Sequence, residues 1–544
     1  MLTALVTALA FAISDGLPVK SPNSVGMSAE RLESIDRVVR RGISAGGYPG
    51  AAVVVGRQGA AVYQRGFGAL SWGKEAPTVT SDRTIYDLAS LTKVVGTTTA
   101  IMLLYDEGRV ELDAPVVTYL PAFAGGAKDR VTVRHLLTHR SGLPAGRDLW
   151  RIAYSPDQAK AAVLATPLQC EPGACFVYSD LGADVLGMIA ETVSGQSLDR
   201  LLDERVFGPL GMNDTFFRPA DSLLYRVAPT ELVSPRGYAL RGQVHDENAH
   251  ALGGVAGHAG LFSTAADLSV FAQMMLNGGS YNGVRILSDS AVNLFTHRAA
   301  GTRALGWDTC AGEGGCGQFL GGRAYGHTGF TGTSIWIDPD REMFVILLTN
   351  RVHAARARRP AKVISDVRAD LADAAAAAVM DDPSNVLAMP VAFRADRAIG
   401  WNTVERPYRS RSAKRSKSAR SRAAAAARRS SAKKKAAKAS SAGRRRSAAA
   451  HNSRGAATAK ARTAKGKEVA ARDKSTVRSR PLATKAKAAK AKPTKAKPTK
   501  SKASAGSSKA KAAKAKAKSK ATAAKKPARS SSAKAAPAKK KRKQ

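Results

Sequence analysis

The net positive charge of this 544-residue chain comes entirely from its C-terminal quarter. Residues 409–544 hold 48 of the 86 lysines and arginines but only two of the 42 acidic residues, Glu468 and Asp473. The rest of the chain therefore carries 38 basic and 40 acidic residues, which excludes a uniformly basic globular protein. A segment so charged and so poor in apolar side chains cannot offset the entropy lost on folding. We predict a disordered, low-complexity polybasic tail over residues 403–544, with a folded domain before it.

The first residues form a short apolar run. Residues 2–13 read LTALVTALAFAI, which is too short to cross a membrane as a helix. Residues 10–12 form an A-x-A-type cleavage site, so we predict a secretory signal segment over residues 1–16 and export to the periplasm or outside the cell. No lysine or arginine precedes the run, which leaves open an apolar N-terminal helix on a cytoplasmic protein.

Strand patterns occur at both ends of the predicted domain, residues 17–402, with helical patterns between them. Strand patterns lie at residues 51–55, 60–66, 334–338 and 344–349, and helical patterns lie at 28–43, through much of 100–300, and at 361–380. The first two strands are separated by GRQG at residues 56–59, which indicates a hairpin. We therefore expect an α+β fold in which an antiparallel sheet, built from distant parts of the chain, is flanked by helices and interrupted by a helical insert.

The four cysteines occur as two close pairs, Cys170/Cys175 and Cys310/Cys316. A disulfide within each pair would close a small loop and would fit an oxidising compartment. The alternative is four free thiols in a cytosolic enzyme. Neither pair has the two-residue spacing of a zinc knuckle, so metal binding is disfavoured.

Ser90 and Lys93 lie three residues apart at the start of a predicted helix. Residues three apart share a helix face, so the amine can approach the hydroxyl. A serine becomes a strong nucleophile when a base removes its proton, and a lysine can be that base if its pKa is lowered. The spacing alone is weak evidence, because Ser431 and Lys434 in the tail match it too.

Two further segments add to this pair. Tyr178 lies in FVYSD at 176–180, just before a predicted helix, and a tyrosine beside a lysine cation can relay protons. The triplet HTG at 327–329 precedes the predicted strand 334–338. Its glycine would let a substrate approach the strand backbone closely.

Together with their flanking sequence, these motifs resemble the serine β-lactamase-related hydrolases, which include class C β-lactamases, D-alanyl-D-alanine carboxypeptidases and related esterases. The matching stretches are LASLTK at 88–93, VRHLLTHRSGLP at 133–144, FVYSDLGADVLGMIAETVSG at 176–195, FGPLGMNDTFF at 207–217, GGVAGHAGLFSTAADLSVFAQMMLNGG at 253–279 and GHTGFTGTSIWIDPDREMFVILLTNR at 326–351. They follow the family's order and span roughly residues 25–385. The resemblance implies a β-lactamase/transpeptidase-like fold and a serine acyl hydrolase, of esterase, β-lactamase or D-Ala-D-Ala peptidase type, that forms a covalent acyl-enzyme.

The resemblance also implies a role for each matching residue. Ser90 would be the acyl nucleophile, with Lys93 and Tyr178 activating it and passing its proton to the leaving group. The backbone N–H groups of Ser90 and Phe330 would form the oxyanion hole, where two donors stabilise the tetrahedral intermediate. The substrate-binding positions would be Asp180, His327, Thr328, Gly329 and Arg351.

Two positions depart from the family pattern. Asp180 stands where the family usually has asparagine; it cannot donate amide hydrogen bonds, but it would help to keep Lys93 protonated. His327 replaces the lysine of the family's Lys-Thr-Gly, and a histidine that is mostly neutral near pH 7 holds a substrate carboxylate weakly. We therefore expect ester hydrolysis to exceed β-lactam hydrolysis, unless a cation comes from elsewhere, for which Arg351 and His353 are candidates.

Three histidines lie together in a Gly-rich segment: His245, His250 and His258, with Asp246 and Glu247 nearby. A metal site is one interpretation, but the spacings match no known ligand pattern. We favour a loop that lines the cleft, with histidines hydrogen-bonded to backbone. We predict no metal and no cofactor.

The tail resembles the C-terminal domain of linker histones and bacterial histone-like proteins. It would neutralise phosphates with little sequence preference. Its partner would be DNA in a cytoplasmic protein, and anionic lipid or acidic wall polymer in an exported one. The leading hypothesis is an exported hydrolase of small acyl substrates with a polycationic tail. The competing hypothesis is a histone-like nucleic-acid-binding protein that carries a decayed or auxiliary hydrolase domain.

Overall fold

The computed structural model describes residues 16–232, 234–310, 315–353, 360–381 and 385–402. The predicted tail and all of the predicted signal segment except Gly16 lie outside these residues, so both remain predictions. No helix within the described part of the chain combines the length and the apolar composition that a membrane crossing requires.

The described residues alternate short strands with many short helices. The strands are β1 Gly50–Arg57, β2 Ala60–Gly68, β3 Tyr86–Asp87, β4 Phe216–Phe217, β5 Leu261–Ser263, β6 Ser280–Tyr281, β7 Val284–Arg285, β8 Asp308–Thr309, β9 Tyr325–Thr328, β10 Ser334–Asp338 and β11 Met343–Thr349. The α-helices are α1 Ala29–Leu32, α2 Ser34–Ser44, α3 Thr99–Asp106, α4 Val116–Tyr119, α5 Val133–Leu137, α6 Leu149–Ile152, α7 Pro156–Leu164, α8 Asp180–Ser194, α9 Leu198–Leu202, α10 Glu247–Ala251, α11 Ala265–Leu276, α12 Asp289–Thr296, α13 Ala361–Ala377 and α14 Arg394–Arg397.

Six strands form one antiparallel sheet in the order β2-β1-β11-β10-β9-β8. Strand β1, from the start of the domain, pairs with β11, from its end, so that Ala51 lies opposite Thr349. The β1–β2 hairpin turns at Gln58 and Gly59, which both have positive φ angles, 49° and 78°. The predicted antiparallel sheet from distant parts of the chain, with a helical insert, is confirmed.

The sheet is buried on both faces, and alternate residues of each strand point to different cores. In β1, Ala52 and Val54 belong to the core shared with the helical insert, whereas Val53 and Val55 belong to the core shared with α2 and α13. Every residue of β1 is buried. Side chains alternate across a strand, so a continuous apolar run fits a sheet that is covered on both sides.

Two of the predicted helices are present in the structure. The helix predicted at 28–43 is capped by Ser28 as α1, breaks at Glu33 and continues as α2. The helix predicted at 361–380 is α13.

Disulfides join the cysteines within each pair, with Cα–Cα distances of 6.5 Å for 170–175 and 5.7 Å for 310–316. The disulfide interpretation is therefore confirmed over free thiols.

Candidate active site

The serine of the first motif lies in a strained turn after strand β3. Ala89, the residue before Ser90, has a φ of 48°, a left-handed conformation that costs energy in residues other than glycine. Its N–H donates to Asp87 Oδ1 at 2.8 Å, which holds the turn. Ser90 then lies in a 3-10 turn, Ala89–Leu91, and a π-helical segment, Thr92–Thr98, follows. The predicted α-helix therefore becomes regular only at α3.

A buried aspartate ties this turn to two other parts of the site. Asp87 Oδ2 accepts the backbone N–H of His245 at 2.6 Å, and its carbonyl oxygen accepts Thr331 Oγ1 at 2.7 Å. Thr333 Oγ1 donates to the carbonyl of Leu88 at 2.9 Å. The turn between β9 and β10 is thereby fixed against the residues that precede the serine.

Lys93 lies beneath the serine, with only 3% of its surface exposed. Its Nζ is 3.0 Å from Ser90 Oγ and 3.1 Å from the carbonyl oxygen of His258. The same nitrogen is 2.8 Å from Asp180 Oδ1. An ammonium group has three N–H bonds, and these three acceptors can use all of them. The structure thus brings Ser90 and Lys93 together, as their spacing predicts.

The ion pair with Asp180 decides the charge of Lys93. Burial by itself lowers the pKa of Lys93, but the Asp180 carboxylate and neighbouring Tyr178 outweigh it, so the pKa lies above its ordinary value. The lysine is therefore an ammonium in the resting site and donates to the serine. The Asp180 carboxylate contacts Lys93, in line with the expectation that it helps to keep the lysine protonated, and its substrate-binding role stays a prediction.

Tyr178 stands beside the lysine, in the loop that leads into α8. The next residue, Ser179, fixes this loop, because its N–H donates to His139 Nδ1 at 3.1 Å and its Oγ caps α8. The Tyr178 ring centroid lies 4.6 Å from that of His139 and 5.0 Å from Lys93 Nζ. Burial, with Arg303 and Lys93 adding to it, lowers the pKa of His139 well below its ordinary value, so this histidine is uncharged.

The histidine of the third motif is also uncharged. His327 is 3% exposed, and its Nδ1 lies 2.9 Å from the carbonyl oxygen of Thr328, which requires the proton on Nδ1. Its Nε2 is buried with no hydrogen-bond partner among the described residues. Burial, followed by the charges of Arg303 and Lys93, lowers the pKa of His327 well below its ordinary value. His327 is therefore neutral, as the sequence predicts.

Ser90 opens into a surface cleft of about 350 Å³. Its lining unites most of the residues that the sequence selects: Ser90, Tyr178, His327, Thr328, Gly329, Phe330 and Arg351. The lining also contains Arg303, Asp308, Ala361, Ile364, Ser365 and Arg368, which the sequence does not select. The three motifs therefore meet at one place, with Lys93 below its floor.

The turn between β9 and β10 forms one wall of the cleft. A Cβ atom at Gly329 would lie 2.5 Å from the Leu88 carbonyl oxygen, so only glycine permits this close approach. Arg368 Nη2 donates to the carbonyls of Gly329 and Thr333, at 2.7 Å each. Phe330 follows, with 53% of its surface exposed. The oxyanion-hole role of its N–H, and of the N–H of the serine, stays a prediction.

The two cations proposed from the sequence are placed differently. Arg351 lines the cleft, where its Nε donates to the Phe330 carbonyl at 2.8 Å and its guanidinium lies 4.9 Å from that ring's centroid. Arg351 therefore supports the turn. His353 is buried, and burial lowers its pKa, so it is a poor source of positive charge.

A further cation in the cleft has no signal in the sequence. Arg303 lies near two rings, with Cζ 5.4 Å from the Tyr178 centroid and 5.8 Å from that of Phe176. Its ion pair with Asp308 is long, at 3.8 Å between Nε and Oδ1. In the part of the chain that the structure describes, its Nε and Nη1 are buried and have no hydrogen-bond acceptor. Arg303 thus lines the cleft with a guanidinium that is incompletely neutralised.

The three clustered histidines separate in the structure. Within the described ranges, no group of three or more His, Cys, Asp or Glu side chains is arranged to hold a metal ion. His245 is buried, and its ring stacks on Phe330 with the centroids 5.7 Å apart. His258 is buried between two carboxylates, and His250 is at the surface.

Comparisons with known proteins agree with this geometry. The sequence profile described as Beta-lactamase matches residues 35–368. A protein of Escherichia coli (strain K12) named "Putative D-alanyl-D-alanine carboxypeptidase" is 34% identical over 378 residues, which cover 62% of this chain and 86% of that protein. Two solved structures share the fold, each at 23% identity. A penicillin-binding protein homologue from Caulobacter crescentus has a TM-score of 0.53 and covers 65% of this chain and 99% of its own. EstCE1, a hydrolase with promiscuous acyltransferase activity, has a TM-score of 0.51, with coverages of 64% and 99%.

Proposed function

We propose that this chain, which belongs to the β-lactamase family, is a serine hydrolase of the D-alanyl-D-alanine carboxypeptidase type that forms an acyl-enzyme on Ser90. The observation that carries the proposal is the 3.0 Å contact between Lys93 Nζ and Ser90 Oγ at the floor of the cleft. The cation on the cleft wall, Arg303, supports a substrate with a free carboxylate. The name of the 34% identical relative points to the same substrate class.

Acylation would begin when Ser90 Oγ attacks the carbonyl carbon of the substrate. The serine proton would pass through the Tyr178 hydroxyl to the leaving amine as the C–N bond breaks. The Lys93 ammonium would orient Oγ and stabilise negative charge on the relay. The N–H groups of Ser90 and Phe330 would donate to the oxyanion. Water would then attack the acyl-enzyme and return the proton to the serine through the same relay.

Arg303 would bind the carboxylate that a D-Ala-D-Ala peptide carries beside the scissile bond. A guanidinium suits this task because it can donate two parallel hydrogen bonds to a carboxylate. Its long ion pair with Asp308 leaves charge for a ligand to neutralise. In this arrangement Arg303 takes over from the lysine that the neutral His327 replaces.

The experiment compares two peptides that differ in one group. An N-acylated peptide ending in D-Ala-D-Ala is incubated with purified protein beside the same peptide with a C-terminal amide, and release of the last residue is followed by chromatography. We expect the free carboxylate to be cleaved with at least a roughly tenfold higher kcat/KM, the size of one charge-assisted hydrogen bond. Ser90→Ala should release nothing. Equal rates on the two peptides would reject the carboxylate-binding role.

A second candidate is a hydrolase of neutral esters. The neutral His327 favours it, and so do Phe176 and Phe330, which line or border the cleft with 50% and 53% of their surfaces exposed. Such an enzyme would hydrolyse a p-nitrophenyl ester faster than nitrocefin, and it would not distinguish the two peptides.

We also propose that the protein is exported and that its tail binds polyanions. The two disulfides support an oxidising compartment. The excess of basic residues in 409–544 supports attraction to anionic lipid, wall polymer or nucleic acid. A histone-like protein with a decayed hydrolase domain is a weaker hypothesis, since Ser90, Lys93 and Tyr178 remain assembled.

A further inference from the structure

We propose that His258 is a positioning residue for acylation: clamped between two carboxylates, it presents its own carbonyl oxygen to Lys93 and sets the place of that lysine beneath the nucleophile. Its Nδ1 lies 2.7 Å from Asp184 Oδ1, and its Nε2 lies 2.9 Å from Asp246 Oδ1. Its carbonyl oxygen lies 3.1 Å from Lys93 Nζ. This inference rests on the proposed function, because it concerns how Ser90 is acylated.

The contacts of His258 form a closed loop of residues that includes the lysine. Asp180 and Asp184 lie one turn apart on the same face of α8. Asp180 contacts Lys93 Nζ at 2.8 Å, and Asp184 contacts the His258 ring. The carbonyl of His258 then returns to the same Nζ. Because these contacts form a closed loop, a displaced imidazole would move one of the three acceptors that hold Lys93 against Ser90.

The backbone on either side of His258 is also fixed to the segment that carries Lys93. Thr97 Oγ1 donates to the Gly257 carbonyl at 2.6 Å, and the N–H of Leu261 donates to Thr92 Oγ1 at 3.1 Å. Residues 257–261 therefore run alongside the π-helical segment, and the side chain of His258 is the link from that stretch to α8. The carbonyl that meets Lys93 is thus oriented from both ends and from its own side chain.

Burial raises the pKa of Asp184, and the neighbouring His258 opposes that shift. With Asp184 and Asp246 both ionised, the clamp requires a doubly protonated ring, because a carboxylate only accepts hydrogen bonds and one faces each nitrogen. Burial by itself lowers the pKa of His258, but Asp184 and Asp246 outweigh it and hold the pKa well above its ordinary value. Two carboxylates contact the imidazole, Asp184 on α8 and Asp246 before α10. Asp180 on α8 and Lys93 on the π-helical segment act on these carboxylates, and the ion pair of Lys160 on α7 with Glu191 on α8 lines a neighbouring pocket beside Asp184. Loss of one ring proton would turn a lone pair toward a carboxylate and open the clamp.

The test measures the acylation rate for each competent site in the full-length protein. Competent sites are counted by labelling with a fluorophosphonate, and acylation is followed as the pre-steady-state burst with a p-nitrophenyl ester. The variants are His258→Gln, Asp246→Asn and the two combined. His250→Gln on the surface of α10 is the matched control, and thermal unfolding of each protein is recorded.

We expect His258→Gln to lower the acylation rate per labelled site about 10- to 100-fold, with a smaller change in KM. A rate loss of this size is expected when a catalytic group is displaced by about 1 Å. Asp246→Asn removes one of the two carboxylates that contact the His258 imidazole, which lowers the pKa of His258. The alkaline limb of the acylation rate against pH should therefore move down by about one pH unit or more. In the His258→Gln background the same change should not move that limb further. His250→Gln should match the wild type.

A purely structural role would predict something different. Fewer sites would label and the melting temperature would fall, but the acylation rate per labelled site would stay within about twofold of the wild type, as for distant mutations that do not disturb a site. That result, or an Asp246→Asn profile whose alkaline limb does not move, would overturn the proposal. Failure of the proposed function would look different again, since Ser90→Ala would then still label.

Discussion

Two buried cations flank Ser90, and they differ in how completely their charge is met. Lys93 has three acceptors around Nζ, the nearest being Asp180 Oδ1 at 2.8 Å. Arg303 has a 3.8 Å ion pair with Asp308, and its Nε and Nη1 find no acceptor among the described residues. The two side chains are buried almost equally, at 4% and 10% exposure.

We infer that this difference separates a residue that holds the nucleophile from a residue that recognises the substrate. A buried charge without partners costs free energy, so a fold tolerates it where something else will supply the partner. The saturated Lys93 has nothing left to offer a ligand and is suited to hold the nucleophile. The unsaturated Arg303 can gain from a ligand that brings negative charge.

Removing the saturated cation should have the largest effect. Lys93→Met should lower kcat/KM for a p-nitrophenyl ester about 10²- to 10³-fold, because the nucleophile loses the ammonium that orients it and stabilises negative charge on the proton relay. The loss should be the same on substrates with and without a carboxylate. Steady-state kinetics on both substrates test this, with Lys74→Met, at an exposed position, as the control. A variant that keeps more than a tenth of the activity would show that Lys93 is only structural.

Removing the unsaturated cation should act on one class of substrate. Arg303→Gln should lower kcat/KM for a D-Ala-D-Ala peptide about 10- to 100-fold, since a hydrogen bond to a charged group contributes about 1.5–3 kcal/mol. A neutral ester should change little, and Arg303→Lys should keep part of the peptide activity. Equal losses on both substrates would mean that Arg303 shapes the cleft and does not recognise the carboxylate.

Changing the partner of Lys93 should move the pH profile more than the rate at neutral pH. Asp180 raises the pKa of Lys93, so the ion pair stabilises the fold fully below the unfolded lysine pKa and is lost as pH rises through the folded value. Asp180→Asn lowers the pKa of Lys93. In the His258→Gln background, where of these two groups only Lys93 can titrate, it should move the alkaline limb of kcat/KM down by about 1–3 pH units. Ester hydrolysis between pH 6 and 10.5 checks this, with the exposed Asp157→Asn as control. An unmoved limb would contradict the assigned charge of Lys93.

Removing the tail should leave hydrolysis unchanged. A chain that ends at Asn402 keeps Trp401, whose indole Nε1 donates to Asp366 Oδ2 at 2.8 Å. The truncated protein should lose binding to duplex DNA and to anionic vesicles together. The full-length protein should lose its binding about 10³- to 10⁵-fold between roughly 50 and 200 mM salt. Truncated protein that still bound both polyanions would place their attraction in the hydrolase domain.

Local patterns in the sequence predicted much of the fold. The β1–β2 hairpin and strand β10 follow from short apolar runs and turn residues, and β10 has the predicted bounds, Ser334–Asp338. The π-helical segment Thr92–Thr98 was not predictable, because apolar periodicity does not distinguish it from an α-helix. Its geometry depends on the strained turn at Ala89 and on packing against distant segments.

The residues of the site likewise include some that the sequence predicts and some that it does not. Ser90, Lys93 and the HTG triplet at 327–329 could be found because their chemistry is written in short motifs. Arg303 and His258 could not, since their roles depend on which side chains the fold brings near them. Arg303 becomes significant only because a long ion pair leaves it unsatisfied.

In the proposed mechanism Ser90 forms the covalent intermediate. Intact-mass spectrometry after exposure to a fluorophosphonate, followed by peptide mapping, would identify the residue that is acylated. We predict one adduct per chain, on the peptide that contains Ser90, and none in Ser90→Ala. An adduct of the same mass that persists in Ser90→Ala, or that maps to another residue, would show that Ser90 is not the nucleophile.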